Sequence, residues 1–218
     1  MSSGHIIFIL IGVLMAAFGV WRYLPKTMLY FKPSHIIGTF HENANLDPAP
    51  AERAQEDVDK IIALGFARAG VQLEKPPLWH KPLEVLILTG NEGGELACVI
   101  SGKRHVTWYF ETIFEGGQLV ITSAGGFKPT NEGGLYQSVL DAEALPAEVL
   151  ARHRDNVAHY VSQGFVPVKR YTPDVIGDMT RLYYGFPVVR RGMRTYGSMN
   201  TVPLFILCVP LILALVKW

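Results

Sequence analysis

LEVLILTGNEGGELACVIS, Leu83 to Ser101, holds two apolar runs on either side of a glycine-rich turn. Short runs of β-branched and aliphatic residues bounded by turn formers read as strands, and this pair reads as a hairpin. The pattern extends in both directions. Phe66 to Leu73 alternates loosely ahead of Pro76-Pro77. Beyond Gly102-Lys103-Arg104, His105 to Phe114 (HVTWYFETIF) alternates and is rich in aromatic and β-branched residues. Glu115-Gly116-Gly117 turns the chain again into Gln118 to Ser123 (QLVITS). Successive strands joined by short glycine turns predict an antiparallel meander of four or five strands.

Helical patterns flank the strands. Pro50 to Gly65 places Ala54, Val58, Ile61 and Ile62 on one face, with acidic residues in front and Gly65 as a stop. Leu145 to Gln163 carries an apolar stripe through Leu150, Val157 and Val161, ended by Gly164. Pro173 to Tyr184 has Thr172 as N-cap, Pro173 in its first turn and Gly185 as stop. Ala124 to Tyr136 (AGGFKPTNEGGLY) reads as a long loop, and residues 25–49 as a connecting arm. The predicted fold is α+β: the meander with helices packed on one face.

The two ends are of another kind. Ile6 to Trp21 and Tyr196 to Val216 carry no charge. They predict one N-terminal and one C-terminal transmembrane helix, 5–24 and 196–217. Between them lie the arm (25–49), a cytoplasmic domain (50–186) and a basic juxtamembrane segment (187–195). Trp21, Tyr23, Tyr196 and Trp218 suit the headgroup level, and Arg22, Lys26, Arg190, Arg191 and Arg194 form basic flanks. Those flanks predict a bacterial inner-membrane protein with both termini outside and the central domain in the cytoplasm. Gly12, Ala16 and Gly19 allow close helix packing.

Composition narrows the function classes. Net charge is +1 with 18% charged residues, and no basic stripe or nucleic-acid module is present, so nucleic acid is not an expected partner. Two cysteines, Cys98 and Cys208, give no disulfide framework. Metal signatures, phosphate loops and a nucleophile elbow are all missing from the sequence, so no metal, cofactor or catalytic residue is expected. Of the seven histidines, His80 and His105 fall where a loop and a strand start could approach, and they are the candidate ligands.

Three functional expectations follow. The first is a non-catalytic accessory subunit of a larger integral-membrane complex, its partners being other membrane subunits and anionic lipid head groups. The second is an enzyme or ligand-binding module with a site near His80, His105 and the 124–134 loop. The third is an assembly factor or sensor with transient partners.

Overall fold

The computed structural model describes residues 3–31, 36–75, 81–90, 94–102 and 105–216. The chain divides into two compact units. One comprises Met1–Ile36, Pro76–Lys81 and Pro187–Trp218; the other comprises Ile37–Lys75 and Pro82–Phe186.

The first unit is built on two long helices that pack on each other, α1 (Ser3–Phe31) and α5 (Pro187–Val216). Among the described side chains of α1, Gly12, Ala16 and Gly19 are the buried ones, spaced so that they share one helix face. Without bulky side chains there, the two backbones approach closely. Apolar side chains on the remaining faces, including Leu14, Trp21, Phe205 and Ile206, are exposed.

These helices overturn the two-span expectation. Among the described residues, no helix is long and apolar enough to cross a membrane. A span takes about 20 apolar residues, and Ile6 to Trp21 supplies 16 before the same helix runs on through Arg22, Pro25 and Lys26. The other helix starts with Arg190, Arg191 and Arg194, then Ser198, Asn200 and Thr201, ahead of an apolar run from Val202. The transmembrane assignments, the inner-membrane placement and the topology derived from the flanking charges are withdrawn with the spans. Trp21, Arg22, Arg190, Arg191 and Arg194 are exposed and Tyr23 is half-buried. Trp218 and the side chains of Lys26 and Tyr196 lie outside the described residues.

The second unit is a mixed sheet of eight strands: β1 (Ile37–Glu42), β2 (Phe66–Lys75), β3 (Leu83–Gly90), β4 (Leu96–Ser101), β5 (Val106–Ile113), β6 (Leu119–Ala124), β7 (Thr130–Glu132) and β8 (Leu135–Leu140). Their spatial order is β1-β2-β3-β4-β5-β6-β8-β7. β1 to β6 pair antiparallel in chain order, so the meander is present. The expectation of four or five strands in a purely antiparallel sheet is corrected at both edges. β1 forms inside the supposed arm. At the other edge, β7 and β8 turn over Gly133 and Gly134, both at positive φ, and β8 lies parallel to β6.

The helices are α2 (Pro48–Ala63), α3 (Pro146–Ser162) and α4 (Pro173–Gly185). They do not share one face, which is the second correction to the expected fold. Consecutive strand residues point to opposite sides, and Val71 and Gln72 of β2 show the consequence. Val71 joins Ala54, Val58 and Ile61 of α2, Val149 and Leu150 of α3, and Phe66, Trp108 and Phe110 of the sheet in the main core. Gln72 bonds to α4 on the other side. A strand covered on both faces needs apolar residues at every position. Val85 to Leu88 and Leu96 to Val99 are accordingly buried without a break. Each large aliphatic or aromatic side chain removed from water there contributes about 1.5–3 kcal/mol.

α4 lies directly on β1 at two glycines. A Cβ on Gly38 would collide with the Thr180 side chain and reach 2.6 Å from the Gly177 carbonyl oxygen. The absence of a side chain at Gly38 thus sets how deeply α4 sits on the sheet.

Candidate functional site: a carboxylate and tyrosine cavity beneath helix α4

The sheet face under α4 carries polar residues where the other face carries core. Gln72 and Glu74 project from β2, Cys98 from β4, and Tyr109 and Glu111 from β5, all by the period-2 rule from their buried neighbours. Register sets Cys98 opposite Tyr109, and Glu111 opposite Leu96 and Ile121. From α4, Met179, Thr180, Tyr183 and Tyr184 come down over them, three- and four-residue spacing keeping them on one side of the helix. A cavity of about 160 Å³ remains between the layers, lined by these α4 residues with Gln72, Glu74, Tyr109, Glu111 and Phe127, and bounded by Leu83, Ile100 and Ile121.

One wall is held by a hydrogen-bond chain. Gln72 Nε2 donates to the Ile176 carbonyl (2.9 Å) and to Thr180 Oγ1 (2.6 Å). Thr180 Oγ1 donates to Glu74 Oε1 (3.2 Å), and the Tyr184 hydroxyl donates to Glu74 Oε2 (3.1 Å). Burial raises the Glu74 carboxyl above its ordinary range, while the Tyr184 and Thr180 hydroxyls act the other way.

Glu111 is in a different position. It is 4% exposed, and its one hydrogen-bonding neighbour among the described residues is the Cys98 thiol, 4.0 Å from Oε2. Burial, and then the nearby Glu74, push its carboxyl up to about 8. Near neutral pH it is therefore mostly a neutral acid. Burial and the Glu111 charge also hold the Cys98 thiol well above its usual range, so it is not a ready nucleophile. Tyr109 is raised as well, chiefly by burial. Among the described residues, no basic side chain pairs with Glu74 or Glu111.

The aromatic lining is built from perpendicular pairs. Tyr109 and Phe127 meet edge to face at 5.1 Å, and Tyr183 and Tyr184 at 5.2 Å. Phe127 arrives from the segment between β6 and β7, the part of the expected 124–134 site that reaches this cavity. His105 is exposed just before β5 and does not line it, and His80 lies outside the described residues. Among the described residues, no group of three or more His, Cys, Asp or Glu is arranged to hold a metal ion.

A second polar cluster, on the opposite face, is closed rather than open. His153 of α3 is fully buried between Thr112 and Thr122, at 3.0 Å from Nε2 and 3.1 Å from Nδ1. The Thr112 hydroxyl proton goes to the Gly94 carbonyl (3.0 Å), so Nε2 carries the ring proton and Nδ1 accepts from Thr122. Thr122 in turn accepts from Ser138 and Asn156. Burial, with a smaller contribution from Arg154, lowers His153 to about 3. Every polar atom of the ring is satisfied in the neutral form, which marks a structural lock and leaves no group free for a ligand.

Gln72, Glu74 and Glu111 are not among the candidate residues that the sequence pattern singles out. The signal available was a charged residue interrupting an aromatic strand, Glu111 within HVTWYFETIF, in phase with Tyr109. A carboxylate on the buried face of such a strand needs a partner or a function. Compared with known proteins, the chain matches no family model, no curated protein and no solved structure.

Proposed function

We propose that this chain is a small-molecule binding module whose ligand occupies the cavity beneath α4. The observation that carries this reading is the pair Glu74 and Glu111: two carboxylates face one cavity and neither has a basic partner among the described residues. Glu111, with only the Cys98 thiol beside it among the described residues, is a buried polar group short of partners, which is costly, so the site gains when a ligand satisfies it. An engineered cavity of about 150 Å³ takes a molecule the size of benzene, so the 160 Å³ here fits a compact ligand or the head of a longer one. Convergent polar groups on apolar and aromatic walls are the usual form of a ligand site. The accessory-subunit reading drew its support from the two spans and keeps no comparable observation.

The test is a thermal-shift panel on the full chain with small amines, carboxylates, amides and polyols, repeated with Leu83→Trp. Leu83 lines the cavity and is 39% exposed, so a larger ring there narrows the cavity at little cost to the core. Compounds that stabilise the parent and not the Leu83→Trp variant support the reading. A panel without a stabilising compound, or one whose effects survive Leu83→Trp, refutes it.

A further inference from the structure

The geometry points to a small alkylammonium ion as the ligand, its nitrogen held between the Glu111 carboxylate and the aromatic rings that line the cavity, Tyr109, Phe127, Tyr183 and Tyr184. This deepens the ligand-module reading and rests on it. Three features separate a cation from other ligands of the same size. The first is charge: among the described residues the lining carries two carboxyls and no basic side chain, so it offers an anion no counter-charge and a cation one as soon as a carboxyl ionises. The second is hydrogen-bond demand. Glu74 already accepts from Thr180 and Tyr184, whereas among the described residues Glu111 has only the weak thiol donor at 4.0 Å, so its ionised form is completed by a ligand that donates. The third is the walls. Ring faces attract cations, and a desolvated cation held by several rings is the arrangement by which proteins recognise ammonium groups. The perpendicular settings of Tyr109 with Phe127 and of Tyr183 with Tyr184 provide walls in more than one direction.

Proton linkage gives the binding a signature. Among the described residues, the groups facing Glu111 are Glu74 from β2, Cys98 from β4, Tyr109 on its own strand, Tyr183 and Tyr184 from α4, and Tyr171 ahead of α4, and none of these is basic. Without ligand, Glu111 keeps its proton up to about pH 8. A cation beside it favours the ionised form, so binding near neutral pH releases that proton. Affinity then rises about tenfold per pH unit between pH 6 and 7 and levels off above the Glu111 titration.

Calorimetric titration of the full chain with n-butylammonium chloride at pH 6, 7 and 8, alongside n-butanol and butyrate, tests this. The ammonium is expected to bind with the stated pH dependence and with proton release, and n-butanol and butyrate at least tenfold more weakly. Glu111→Gln is expected to weaken ammonium binding at least tenfold and remove the pH dependence. Glu74→Gln, on a strand nearer the edge, is the second variant, expected to weaken binding while leaving the proton release in place. Binding of n-butanol as tight as that of the ammonium, abolished by Leu83→Trp, overturns the cation assignment and leaves the ligand site standing. Ammonium binding that survives Leu83→Trp overturns both. Absence of ammonium binding, or pH-independent affinity in the parent, overturns the inference.

Discussion

Gln72 and Thr180, 108 residues apart in the chain, meet at 2.6 Å, the amide Nε2 donating to the hydroxyl oxygen. The contact ties the second strand of the sheet to the helix that roofs the cavity. Thr180 passes its own proton on to Glu74, so one hydroxyl joins an amide, a carboxylate and a helix.

Replacing Thr180 by Val keeps the shape and removes that junction. Gln72 then loses one acceptor and Glu74 one donor, both well buried or half-buried. Leaving buried polar groups short of partners costs about 1–3 kcal/mol. The expected result in urea denaturation is a lowered midpoint with an unchanged slope. A midpoint equal to the parent's contradicts the assigned role.

Gly38→Ala tests the close approach of α4 to β1. The added methyl meets Thr180 and the Gly177 carbonyl, so either the strand or the helix must shift. Overpacking of this kind costs about 1–3 kcal/mol. The same substitution at Gly192 of α5, where a Cβ meets nothing within 4 Å, is the control and is expected to leave stability unchanged or raise it by up to about 1 kcal/mol through helix propensity.

Two of the buried titratable groups, Glu111 and His153, act in opposite directions with pH. Glu111 has a folded value of about 8 against an ordinary 4.5. Its contribution is full below pH 4.5 and is lost as pH rises through 8. Glu111→Gln removes that loss, so its stability relative to the parent is expected to improve steadily from pH 5 to pH 8. A flat difference across that range contradicts the buried neutral carboxyl.

His153 has a folded value of about 3 against an ordinary 6.5. Its contribution is full above pH 6.5 and is lost as pH falls toward 3, because the unfolded chain takes up a proton that the buried ring cannot. His153→Gln is expected to be less stable than the parent at pH 7, where it disturbs the Thr112 and Thr122 contacts, and to close that gap as pH falls to 4. Stability measured by denaturation at each pH checks it, and a gap that widens on acidification contradicts the neutral-ring assignment.

Periodicity and turn chemistry made the central meander and the three helices on the sheet readable, because β2 to β6 and α2 to α4 carry strong local signals. β1, IGTFHE, was hidden because it lies between proline- and asparagine-rich stretches and is mostly exposed. β8 was hidden because its direct neighbour is β6, a parallel pairing that a hairpin reading does not produce. The unbroken burial of Val85 to Leu88 was the available sign that helices cover both faces, and VLIL alone does not distinguish two covered faces from one strong one. The candidate site was the least legible part. Gln72, Glu74, Glu111 and Thr180 come from three separate elements and show no motif spacing. Length and hydropathy make the apolar helices conspicuous in the sequence, whereas a single glutamate in phase with a tyrosine, Glu111 with Tyr109, is a weak local signal.

The most direct test of the central claim is a heteronuclear NMR titration of the full chain with n-butylammonium at pH 8. Amide shift changes are expected to concentrate at Gln72, Glu74, Tyr109, Glu111, Thr180 and Tyr183 and to saturate together. Changes centred on any other part of the chain, or none at saturating ligand, would contradict that claim.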